Sequence, residues 1–239
     1  MNLDILVLAA HPDDAELGCG GTIASHVAMG YKVGVVDLTR GELGTRGTPE
    51  IRIAEAEASA KILGLSARVN LGLRDGFFTN SAEDRLLVVS AIRKFRPRIL
   101  LANAVADRHP DHPRASELAY EACFAAGLRR IETKDEEGRI QEPWRPSVIY
   151  HYIQSEFVTP DLIVDVSDYW DIKMQAIRAF SSQFYNPDSS EPETYISSQD
   201  FLRKLEARAI DMGHTIGVKY GEGFTVRRFP GVRDLTQLL

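Results

Sequence analysis

Short apolar runs alternate with longer stretches of helical period along the first half of the chain, the pattern of parallel strand–helix–strand units. Strands are predicted at residues 4–10, 32–38, 68–71 and 98–102, and helices between them at 21–29, 49–63 and 82–95. Thr48 and Pro49 open the second helix, and Ser81 caps the third. Gly30 and Gly64 stand where the first two helices should stop. A fourth helix is predicted at 112–126, followed by a polar surface excursion at 129–146. Strands resume at 148–153 and 162–166, helices follow at 170–180 and 199–212, and 223–228 reads as extended. In an open doubly wound sheet, strands one and four lie side by side at the switch point, and ligands bind beyond their carboxyl ends. The segments that follow those two strands are therefore expected to meet.

Composition narrows the class. The 239 residues are 44% hydrophobic and 26% charged, ordinary globular proportions that argue against a disordered or fibrous chain. A chain of this size buries roughly 70–75% of its unfolded surface, enough for a core without staples. The formal charge of −6 and the lack of a local Lys/Arg cluster make nucleic acid an unlikely partner. Two cysteines, Cys19 and Cys123, make no disulfide framework and are expected to be reduced thiols in the cytoplasm. No stretch approaches the roughly 18 apolar residues of a membrane span. With no repeat or low-complexity tract, residues 1–239 are read as one domain.

The chemistry gathers in two places. After the first strand comes Ala10-His11-Pro12-Asp13-Asp14, and after the fourth comes His109-Pro110-Asp111-His112, so three of the six histidines sit in two segments expected to converge. Each first histidine is followed by a proline, which restricts the turn. A His and an Asp three apart, with one more His from the neighbouring strand end, make a mixed N/O set of three. Three ligands and an open position suit a catalytic zinc site, whereas a structural site is closed and usually thiolate-rich. Gly18-Cys19-Gly20-Gly21 lacks the spacing and position of a dinucleotide fingerprint and reads as close helix packing. Cys19 reads as a small buried thiol, and His214 as a helix-end residue.

The two histidine motifs, with Ala15-Glu16, Thr39-Arg40-Gly41-Glu42, Arg52 and the tail Gly213 through Tyr220-Gly221-Glu222, resemble the PIG-L or LmbE-like zinc-dependent N-acetylglucosaminyl deacetylases over nearly the full chain. The tail is similar to the bacillithiol-biosynthesis branch, which acts on N-acetylglucosaminyl malate. The resemblance implies a Rossmann-like α/β fold, mostly parallel, with C-terminal additions around the site. It implies His11, Asp14 and His112 as ligands of one metal, Zn²⁺ with Fe²⁺ or Co²⁺ equally compatible with the donors, and Asp13 as general base. His109 would face the oxyanion, with Asp111 holding its ring; a plain helix N-terminal carboxylate accounts for Asp111 as well. Arg52, Arg108 and Arg46 are candidates for capturing the malate carboxylates, and Tyr195 for touching the sugar. For Arg46 and Tyr195 a surface role is at least as plain. A homo-oligomer, with a hexamer as the candidate, completes what the resemblance implies. The rivals are a deacetylase for an inositol or chitobiose conjugate, a nucleotide-binding protein of the same fold, and a non-catalytic sugar binder.

Overall fold

The computed structural model describes residues 1–239, the side chain of Gln237 excepted. In chain order the elements are β1 (Ile5–Ala9), α1 (Asp14–Ala28), β2 (Val33–Thr39), α2 (Pro49–Leu63), β3 (Ala67–Leu73), α3 (Ala82–Phe95), β4 (Ile99–Ala102), α4 (Asp111–Ala126), β5 (Val148–Tyr152), β6 (Leu162–Asp165), α5 (Trp170–Arg178), α6 (Phe201–Thr215) and β7 (Gly221–Val226). The strands form one sheet of order β3-β2-β1-β4-β5-β7-β6. The first five run parallel, with β1 between β2 and β4. β7 runs antiparallel to both of its neighbours.

β1 is a continuous apolar run because it is covered on both faces. Leu6, Leu8 and Ala10 pack with Val88 and Ile92 of α3 and with Leu118 and Ala122 of α4. Ile5, Val7 and Ala9 pack with Ala15, Ile23 and Ala24 of α1. This alternation is the period of two that a strand imposes. α2 and α3 keep their predicted bounds because their caps are encoded locally. The Thr48 and Ser81 side chains accept from the backbone N–H groups of Ile51 and Asp84, and Gly64 closes α2 at φ 68°, a conformation that favours glycine.

Two features differ from the prediction. α1 begins at Asp14, directly after the first histidine motif, and is interrupted at Cys19 (φ −145°, ψ 24°). Only the part after the interruption has a readable helical period. The glycines there do serve close packing: a Cβ on Gly18 would collide with the Tyr152 ring. The extended tail is also more than an appendage. It inserts as β7 between β5 and β6, a pairing that a one-dimensional pattern does not contain. Both cysteines are free and buried. Among the described residues no helix is long and apolar enough to cross a membrane.

Candidate metal centre and active site

The carboxyl ends of β1 and β4 bring the two histidine motifs together as expected. The His11 and His109 rings lie 4.8 Å apart, and His109 and His112 stack at 5.1 Å. They stand at a cavity of about 390 Å³. The turn after β1 holds Asp13 at φ 119°, an unusual conformation for a residue with a side chain. The two adjacent carboxylates serve different partners. Asp13 accepts from Arg52 Nη2 at 3.0 Å, whereas Asp14 lies between the histidines.

Hydrogen-bond partners assign the outward nitrogen of each histidine. His11 Nε2 faces Asp75 Oδ1 at 3.0 Å and Asp111 Oδ2 at 3.2 Å, so it carries a proton, and Nδ1 is left toward Asp14 Oδ2 at 3.5 Å. His112 Nδ1 donates to Asp107 Oδ1 at 2.9 Å, leaving Nε2 toward Asp14 Oδ1 at 3.1 Å. Carboxylates behind ligand histidines are the usual means of orienting a ring and raising its basicity. His11 Nδ1, His112 Nε2 and one Asp14 oxygen are thus free to hold protons or a cation. The 3.1 Å between His112 Nε2 and Asp14 Oδ1 is close to the roughly 3.3 Å between neighbouring N/O ligands of a tetrahedral zinc with bonds near 2.0–2.1 Å. The donor set fits a divalent metal.

The electrostatics agree with this fit. Burial disfavours the imidazolium of His11, yet the carboxylates of Asp111, Asp14 and Asp75 outweigh it and hold the pKa well above the ordinary value. His112 is likewise raised to about 9, burial being overcome by Asp14 and Asp107. A site that retains protons this firmly is one that attracts a cation. Burial would raise Asp14, but the two histidines bring it well below the carboxylate range. Asp13 is raised to about 7, chiefly by burial, with the Arg52 charge opposing. His109 is lowered by burial and by the two neighbouring histidines.

One expectation needs correction. The Asp111 carboxylate does not hold the His109 ring. It accepts from His11 Nε2, from Gly76 N at 2.9 Å and from Arg114, while only the Asp111 backbone N–H reaches His109 Nδ1, at 3.3 Å. His109 is therefore left as a neutral ring with its hydrogen on Nε2. Arg52 donates through Nη2 to Asp13 and to the Pro12 carbonyl, while its buried Nε has no hydrogen-bond partner and the side chain lines the cavity. Arg46 is buried and lines the cavity, its Nε 3.6 Å from Glu191 Oε2 and its Nη2 without a hydrogen-bond partner. Arg108 and Tyr195 also line the cavity, the guanidinium 4.5 Å over the ring. His214 stays exposed in the last turn of α6, outside the cavity lining. Burial pushes the Cys19 thiol well above its ordinary pKa, which leaves no nucleophile there.

Sequence reasoning missed Asp75, Asn103, Asp107 and Gln154, and also Lys204 and Arg208 of α6, which line the cavity rim. Asp75, Asn103, Asp107 and Gln154 follow the carboxyl ends of β3, β4 and β5. Applying the strand-end rule to every strand would have found them.

A mostly parallel α/β sheet with a candidate His/Asp metal site and a buried carboxylate beyond its switch point defines the class of protein to which the chain is compared. The family model for PIG-L, described as GlcNAc-PI de-N-acetylase, matches residues 6–123. Diacetylchitobiose deacetylase of Thermococcus kodakarensis is 31% identical over 238 residues, covering 95% of this chain and 84% of that protein. A solved structure of a conserved protein from Thermus thermophilus superposes with a TM-score of 0.87 at 38% identity, covering 98% of both chains. A probable N-acetyl-alpha-D-glucosaminyl L-malate deacetylase of Bacillus anthracis is 26% identical over 75% of this chain and 81% of its own. The chain belongs to the PIG-L family.

Proposed function

We propose that the enzyme hydrolyses the N-acetyl group of a GlcNAc conjugate with one divalent cation, zinc in the first instance, held by His11, Asp14 and His112. The observation that carries this reading is the convergence of their outward donor atoms beside the buried carboxylate of Asp13. A cation held there supplies Lewis-acid polarisation of the acetyl carbonyl and lowers the pKa of water. Asp13, poised near neutrality by burial, takes the proton of the attacking water and passes it to the leaving amine. The Nε2–H of His109 faces the oxygen that gains charge in the tetrahedral intermediate.

The favoured substrate is N-acetylglucosaminyl malate. Support comes from the buried guanidinium of Arg46, whose one carboxylate neighbour, Glu191, stands 3.6 Å from Nε and is half-exposed, with Arg108, Lys204 and Arg208 around the same cavity, a cationic rim suited to two carboxylates. Similarity to the Thermococcus enzyme favours a chitobiose conjugate instead. Turnover of both substrates by the metal-loaded enzyme decides: the malate conjugate should give the larger kcat/KM, and faster turnover of neutral diacetylchitobiose would reverse the assignment. Asp13→Asn should keep its metal and lose about 10²–10⁴-fold in kcat on either substrate. Loss of metal with the rate recovered on reloading would exchange the base and ligand roles.

A further inference from the structure

Two side-chain amides outside the proposed ligand set hold the Asp14 carboxylate. Asn103, wholly buried just beyond β4, donates from Nδ2 to Asp14 Oδ2 at 3.1 Å and to Gln154 Oε1 at 3.0 Å. Gln154, buried just beyond β5, donates from Nε2 to Asp14 Oδ1 at 2.9 Å.

The orientation of both amides is dictated by backbone groups whose identity is not in question. Ala10 N–H donates to Asn103 Oδ1 at 2.9 Å, so the Asn103 nitrogen must face Asp14. Ala104 N–H donates to Gln154 Oε1 at 3.2 Å, beside the Asn103 donor, so the Gln154 nitrogen must face Asp14 as well. Flipping either amide would set a donor against a donor.

The two carboxylate oxygens are consequently unequal. Oδ2 accepts from His11 N–H at 3.0 Å and from Asn103, which uses both of its lone pairs. Oδ1 accepts from Gln154 alone, and its remaining lone pair faces His112 Nε2, 3.1 Å away. Gln154 Nε2 itself lies 3.4 Å from His112 Nε2, at the junction of two ligands.

We infer that Asn103 and Gln154 are positioning residues, an amide clamp that presents Asp14 to the cation through Oδ1 alone and sets how tightly the cation is held. The clamp rests on the reading of His11, Asp14 and His112 as the ligand set. It ties that set to the ends of β1, β4 and β5, so ligand geometry is fixed by the sheet before the cation arrives. Partners behind metal ligands are worth about 10–100-fold in affinity when removed.

Zinc alone, titrated into the metal-stripped full-length enzyme in competition with a chromogenic chelator, tests the clamp. Gln154→Met preserves length and apolar volume but has no N–H, whereas Gln154→Ala removes both. Each should weaken zinc binding about 10–100-fold, and the metal-free Met variant should melt somewhat below the parent, because Ala104 N–H and Asn103 lose their acceptor on Gln154. Parent-like zinc affinity in the Met variant overturns the clamp. So does a loss confined to the Ala variant, because the residue would then serve packing. A parent enzyme that takes up no zinc overturns the ligand reading, and the clamp with it.

Discussion

Arg52 has a second task open to it besides the one the family resemblance implies. The family resemblance makes it an anchor for substrate, in which case its removal would raise KM. Its Nη2 reaches Asp13 Oδ2 at 3.0 Å, and both side chains are buried. A buried cation within hydrogen-bond reach stabilises the ionised carboxylate, and such a neighbour ordinarily lowers a carboxyl pKa by about 1–3 units. Arg52→Ala leaves only the weaker pull of His11 against burial, so the Asp13 pKa rises further and less of the proposed base is ionised at neutral pH. The acid limb of the kcat–pH profile should move to higher pH by about one unit or more, with kcat at pH 7 reduced roughly 5-fold or more. KM should change little. A raised KM with an unmoved pH limb would return Arg52 to the substrate. No sequence pattern separates these roles, because a guanidinium suits either carboxylate and only the fold says which is nearer.

At the scale of elements, the sequence is most readable where signals are local. Thr48-Pro49 and Ser81 place the starts of α2 and α3, since a cap is a contact three residues long. α1 is readable only from Gly21 onward, and the reason lies across the sheet. The Glu222 carboxylate, on β7, accepts from the N–H groups of Gly21 and Thr22 at 2.9 and 2.7 Å and from Thr22 Oγ1 at 2.6 Å. It caps a second helical start after the break at Cys19. Lys173 of α5 pairs with the same carboxylate at 2.6 Å, both groups being buried. This cap comes from a residue 200 positions away, beyond any local pattern. Glu222→Gln keeps the shape and leaves the Lys173 charge unpaired, so urea denaturation should show a loss of about 3–5 kcal/mol. Adding Lys173→Met should restore much of that loss, since the uncompensated charge is then gone. A Glu222→Gln variant as stable as the parent would mean that the pair is not what holds α1 to β7.

Over the whole molecule, the adjacency of β1 and β4 is enough to predict that the histidine motifs meet, but not what stands behind them. Two strand ends supply the motifs, whereas the site draws on four: His11 and Asp14 after β1, Asp75 after β3, Asn103, Asp107 and His112 after β4, and Gln154 after β5. Side chains from sequence positions this far apart come together only in the folded chain. The unfolded chain therefore has no comparable site, and a cation that binds the native state alone stabilises all of it by mass action. At a free concentration about 1,000 times Kd the gain is about 4 kcal/mol. For a chain of 239 residues, about 2–4 °C of melting temperature accompanies each kcal/mol, so zinc should raise Tm by roughly 8–16 °C over the chelator-treated enzyme. His112→Ala should abolish most of that rise, because it removes one of the three donors, and calorimetry with and without chelator reads both. Equal Tm values for the stripped and zinc-supplied parent would show that the donor atoms at the switch point do not hold the ion.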